Sequence, residues 1–224
     1  MKPNLLLLLC LTFALTLVGG CGPREGSFRN LPWQTNINER EHSEVFGVAL
    51  GETPLKTAIA QWGASPSLGL FQNGANGLDL EGYFDRLTLG PFEVRLVVKL
   101  GADQATLEGF RRRAGKPHPG PSGDYRYELS EADALAAQNL PIEEISYLPK
   151  YQLEDKLLRS RFRDPGEIRR LDENTDVWMY PQRGILITVL KKGKDFIHYV
   201  NPGQFDAVVK RMENSVDRKA SRSR

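Results

Sequence analysis

Residues 92–100, Phe92-Glu93-Val94-Arg95-Leu96-Val97-Val98-Lys99-Leu100, put Phe92, Val94, Leu96, Val98 and Leu100 on one side of an extended chain. Glu93, Arg95, Val97 and Lys99 fall on the other. A period of two with one apolar and one mostly charged row marks a strand with one packed and one wet face, as in an antiparallel sheet. Asn-Gly and Gly-Pro breaks bound the apolar stretches before it, so 68–71 and 78–87 read as neighbouring strands. A helix precedes them: Thr53 is placed to cap it, Pro54 opens it, Leu55, Ala58, Ile59 and Trp62 share a face, and Gly63 stops it. Another follows, capped by Asp103 and carrying Leu107, Phe110 and Ala114 at core-facing spacing.

The stretch 115–124, GKPHPGPSGD, resists both helix and sheet and reads as a linker. Ser130 with Asp133 has the form of a capping box for a helix through Gln138, ended by Pro141. Leu153, Leu157, Leu158 and Phe162 then make a helical stripe, followed by strands at 167–171, 177–181, 185–190 and 196–200. Asn201 and Pro202 open a last helix with Phe205, Val208, Val209 and Met212 on one side. Helix, antiparallel strands and closing helix thus occur in 53–114 and again in 151–214. The expected fold is α+β: two similar subdomains, each a helix pair packed on one face of an antiparallel β-meander, as an internal duplication would give. The expected organisation is a signal at 1–20, a flexible tether at 21–44, a first subdomain at 45–114, the linker, a second subdomain at 125–216 and a basic disordered tail at 217–224.

Forty per cent hydrophobic and 26% charged residues make this a globular composition, not a disordered one. Of the net +2, Lys2 carries one charge and residues 210–224 carry four, which leaves −3 on residues 21–209. The basic footprint of a nucleic-acid-binding surface is therefore missing from the body. The two cysteines, Cys10 and Cys21, both lie near the N-terminus, so the body must be held by packing and not by disulfides.

The N-terminus supplies an address. Lys2 precedes a roughly 14-residue apolar run, residues 5–18, which has the layout of a secretory signal and is shorter than the about 20 residues a spanning helix needs. Leu17-Val18-Gly19-Gly20-Cys21 resembles the lipobox of bacterial lipoproteins. The resemblance implies that Cys21 is acylated on its sulfur and amine and becomes the mature N-terminus; two or more acyl chains hold a protein stably on a bilayer. Gly22, a residue other than Asp after the cysteine, implies export to the periplasmic face of the outer membrane. An ordinary cleaved signal, or an uncleaved anchor, with Cys21 a spectator is the alternative. Val45-Phe46-Gly47-Val48-Ala49-Leu50-Gly51, and Phe162-Arg163-Asp164-Pro165 before a strand holding Trp178 and Tyr180-Pro181, resemble small outer-membrane lipoproteins of the barrel-assembly machine.

Chemistry is sparse in the pattern. His42 falls in the tether, His118 in the linker and His198 in a strand, and none stands beside a Gly-x-Ser-x-Gly elbow. His198 reads as a strand residue that faces solvent or makes a satisfied hydrogen bond; its placement beside a Ser or Asp in a cleft would favour a hydrolase or ligand binder. The acidic run 172–176 lacks the glycine and distal glutamate of a calcium loop and reads as a hairpin turn. No residues have metal-ligand or phosphate-cradle spacing. Trp62, Trp178, Tyr180 and Phe205 read as core before recognition patch, and Pro181 suits an edge strand or a strand end. An edge strand would admit a partner strand by augmentation. The basic end from Lys210 either touches an anionic envelope surface or is a solubilising tail.

The expected function is a lipid-anchored, non-enzymatic interaction or assembly module on the periplasmic face of the outer membrane. It takes no cofactor, metal or catalytic residue; Cys21 is the lipidation site, and its partners are the membrane and an envelope protein, with no nucleic acid. The alternative is a lipid-anchored periplasmic hydrolase or ligand-binding protein.

Overall fold

A computed structural model describes residues 28–72, 77–120 and 125–222, with side chains described through 215. The fold is α+β. In chain order the elements are β1 (Asn36–Ile37), β2 (Ser43–Val45), β3 (Val48–Ala49), α1 (Leu55–Trp62), β4 (Ser67–Gln72), β5 (Leu78–Leu89), β6 (Phe92–Leu100) and α2 (Gln104–Arg113). There follow β7 (His118–Pro119), β8 (Tyr125–Tyr127), α3 (Glu131–Ala137), β9 (Ile142–Pro149), α4 (Asp155–Phe162), β10 (Glu167–Asp172), β11 (Thr175–Tyr180), β12 (Ile185–Leu190), β13 (Phe196–Tyr199) and α5 (Phe205–Arg222). Strands β1 to β3 form a small sheet, and the other ten form one antiparallel sheet in the order β10-β11-β12-β13-β9-β6-β5-β4-β8-β7.

The alternation of β6 is observed: Val94, Leu96, Val98 and Leu100 are buried, while Glu93 and Arg95 are exposed. The packed face of the sheet shares one core with Leu55 and Ala58 of α1, Leu107 and Phe110 of α2, and Leu158 and Phe162 of α4. On the opposite face Phe205, Val208 and Val209 of α5 pack against Val177, Met179, Leu186 and Val200. Asp103 caps α2 as expected, accepting from the Thr106 N–H at 2.6 Å, and Ser130 accepts from the Asp133 N–H at 3.2 Å at the start of α3.

Several expectations are corrected. The four strands of 167–200 are present, but β9, which the sequence reading passed over, is the central strand that joins the two halves by pairing with β6 and β13. Helices α4 and α5 lie on opposite faces of the sheet and do not pair on one, because an apolar stripe says that a helix packs but not on which face. Residues 125–140, expected in the second subdomain, join the first half of the sheet, where β8 pairs with β4. The Leu140 and Gln138 carbonyls accept from the Leu55 and Lys56 N–H groups at 2.9 and 2.8 Å. Those are free first-turn donors of α1, which any helix must satisfy from outside itself. Thr53 does not cap that helix; its Oγ1 accepts from the Ala49 N–H at 2.9 Å. Within the expected linker, His118 and Pro119 pair with Arg126 and Tyr125 as the outermost strand, where proline's missing donor costs little.

The tether is the largest correction. Trp33 sits edge-on to Phe92 and Phe162 at 6.0 and 6.5 Å, with the Arg161 guanidinium 4.9 Å from its ring. Tyr199 donates to the Pro32 carbonyl at 2.8 Å, and Arg183 donates to the Trp33 carbonyl at 3.0 Å. One large aromatic residue thus fastens a segment whose sequence has no periodicity. At the other end α5 continues to Arg222, through most of the expected disordered tail, on helix-favouring residues such as Arg218, Lys219 and Ala220. The signal, Cys21 and the turn residues 73–76 lie outside the described residues.

Candidate functional site

Where α5 stops covering the sheet, β5, β6, β9 and β13 open a polar cleft of about 200 Å3. Its lining follows from register. On the wet face Lys99 pairs with Glu81 on one side and Glu144 on the other, and Ser146 pairs with Val97 and His198. Cross-strand neighbours of this kind lie within reach of one another's side chains. Arg211 enters from α5, and Asp79 lies two residues along β5 from Glu81.

Glu144 is the hub. It is 8% exposed and accepts from Arg211 Nη2 on both oxygens, at 2.8 and 2.6 Å. His198 Nε2 lies 2.9 Å from its Oε2, and Lys99 Nζ 3.8 Å from its Oε1. Burial alone would raise this carboxyl, but the hydrogen bond and charge of His198, with the charges of Arg211 and Lys99, hold it at about 2. An ionised Glu144 accepts only, so His198 Nε2 carries the proton toward it; in the neutral imidazole Nδ1 then accepts from the Ser146 hydroxyl, 2.7 Å away. Lys99 Nζ also binds Asp79 Oδ1 at 2.7 Å. Glu81 differs: burial first, then the charge of Asp79, raises its pKa, and among the described residues it has no hydrogen-bond or ion-pair partner.

Ser146, His198 and Glu144 therefore form a connected series with the residue types of a hydrolytic triad. Acyl transfer also needs donors aimed at the developing oxyanion. Here β9 is paired on both sides, so the backbone N–H groups around Ser146 belong to the ladders. Glu144 is further neutralised by Arg211, which lessens its pull on the imidazolium that a base must become. The arrangement is better suited to holding charge than to attacking a carbonyl.

Of the expected positions, His198 makes a satisfied hydrogen bond, and the structure places it beside a serine in a cleft. His42 instead meets Glu52 at 2.7 Å, and His118 lies exposed on β7. Trp178, Tyr180 and Phe205 are core residues, and Trp62 packs on Phe84. Asp172 accepts from Asn174 and Thr175 within the β10–β11 turn. Pro181 follows the end of β11, which is an interior strand; the edge is β10. Sequence reasoning missed Glu144, Ser146, Glu81, Asp79, Lys99 and Arg211 as a group. The apolar Ile145 and Tyr147, alternating with Glu144 and Ser146, were the available signal for β9. Comparison with known families, with curated proteins and with solved structures finds no match for this chain.

Proposed function

We propose that this chain is a lipid-anchored module on the periplasmic face of the outer membrane, non-enzymatic, and that its body binds another envelope component. Residues 2–21 support the address: a single lysine, a short apolar run and Leu-Val-Gly-Gly-Cys ending at the acylated Cys21. The observation that carries the binding role is the cleft, in which polar and charged side chains from four strands and α5 converge beside the uncovered half of one sheet face. There Arg95 and Asp85 remain 55% and 66% exposed. Anchoring raises the effective concentration of even a weak surface near a membrane partner. The repeated order of helix, meander and closing helix supports two similar subdomains derived from an internal duplication.

The test is mass spectrometry of the mature N-terminus and of proteins cross-linked to the wild type and to Cys21→Ser in cells. The reading expects an acylated Cys21 and a specific envelope partner that is weakened in the variant. An unmodified Cys21 refutes the anchor, and an acylated protein without partners refutes the module. A second reading, a serine hydrolase, draws on the Ser146–His198–Glu144 series. It expects a fluorophosphonate to label Ser146 in the wild type and not in His198→Ala; the leading reading expects no labelling.

A further inference from the structure

Resting on the binding role proposed above, we propose that the cleft over β5, β6, β9 and β13 takes a primary ammonium group. Its lining holds three carboxylates, Asp79, Glu81 and Glu144, and two basic side chains, Lys99 and Arg211. Both cations are engaged. Arg211 Nη2 bonds both oxygens of Glu144, and Lys99 Nζ sits 2.7 Å from Asp79 and 3.8 Å from Glu144. With His198 neutral, the lining carries one uncompensated negative charge.

Hydrogen-bond capacity points the same way. The Ser146 hydroxyl spends its hydrogen on His198 Nδ1, so toward the cleft its oxygen can only accept. Glu81 lines the same space with no hydrogen-bond or ion-pair partner among the described residues. A carboxylate without an ion-pair partner, a hydroxyl oxygen left to accept and a missing positive charge in one lining are the complement of an ammonium, which brings three donors and no acceptor. Anions meet net repulsion. A hard divalent cation needs six or more oxygens, and among the described residues no three side chains are grouped to hold a metal. A cleft of about 200 Å3 has room for an aminoalkyl arm.

Protons compete for the same charge. Glu81, whose pKa is raised by burial and then by the charge of Asp79, is the group whose protonation removes the negative excess, in a lining otherwise set by Asp79, Lys99, Glu144, His198 and Arg211. Ammonium binding should therefore weaken as pH falls and Glu81 takes up its proton.

A free small amine and a lysine side chain of a partner protein share this chemistry. The probes are n-butylammonium and Nα-acetyl-lysine N-methylamide, followed by backbone amide shifts on the full chain. The proposal expects saturable shifts at residues 79–82, 97–99, 144–146 and 198, at least about tenfold weaker in Glu81→Gln. Circular dichroism of that variant should stay at the wild-type melt. Tetramethylammonium, with charge but no N–H, should give none. Tighter binding of the lysine derivative assigns the group to a partner's side chain; equal or tighter binding of butylammonium assigns it to a free amine. No saturable shift up to about 50 mM, or a Glu81→Gln variant that binds like the wild type, overturns the proposal. Partner capture that depends on Cys21 and persists in Glu81→Gln would leave the binding-module reading standing while the ammonium assignment falls.

Discussion

Removing the carboxylate at the hub of the cleft tests the electrostatic account most sharply. In the folded protein the Glu144 carboxyl titrates at about 2, against an ordinary 4.5. A folded pKa below the unfolded one means that ionisation favours folding. The contribution is fully present above about pH 4.5 and is lost as pH falls through about 2. At about 1.4 kcal/mol per pH unit, the interval corresponds to about 3 kcal/mol. Because Glu144 is only 8% exposed, solvent does little to screen that figure. Breaking a buried pair by removing one member also costs about 3–5 kcal/mol, so the two estimates agree in scale. Glu144→Gln keeps the shape but strands Arg211 and His198. Urea unfolding of wild type and variant should differ by about 3 kcal/mol at neutral pH, and the gap should close as pH drops from about 4.5 toward 2. Carboxylates that do not feel the Glu144 charge cancel in the difference; Glu81, whose pKa is raised by burial, by Asp79 and by that charge as well, contributes a smaller change of its own. A gap under about 0.5 kcal/mol at pH 7, or one that stays constant down to pH 2.5, would refute the reasoning.

Four further substitutions probe the frame. Gly184 has φ 61°, and a methyl group there would run into the Val200 carbonyl oxygen; Gly184→Ala should cost about 1–3 kcal/mol in chemical denaturation. Trp33→Ala should remove about 3 kcal/mol and, in hydrogen exchange, raise opening across residues 36–49 before the large sheet, since the rings of Phe92 and Phe162 hold that segment. Leu96→Ala, at a fully buried site on β6, should cost about 2–5 kcal/mol, whereas Asp103→Ala should destabilise far less, through the lost cap alone.

The strands that were legible have unbroken period: β6 alternates over its whole length, and β12 is a short apolar run between turn residues. Strand β9 was hidden by a local irregularity. Leu100 pairs with Ile142 and Lys99 with Glu144, so Glu143 is an extra residue that shifts the pattern between Ile142 and Ile145. The cleft was illegible for a different reason. Ser146 meets His198 from 52 residues away and Glu144 meets Arg211 from 67, and both contacts are set by strand order and helix placement, which no local pattern encodes. Trp33 shows the limit of reading composition alone: a Pro- and Asn-containing segment is folded onto the body by one side chain and by hydrogen bonds to its backbone.

The most direct test of an anchored binding module is photo-crosslinking in cells from a reactive residue placed at Val97, on the cleft lining. The control position is Leu135, which is 59% exposed on α3. The account predicts a discrete envelope partner captured from position 97, not from 135, and lost in Cys21→Ser. Equal capture from both positions, or capture from 97 that is indifferent to Cys21, would contradict it.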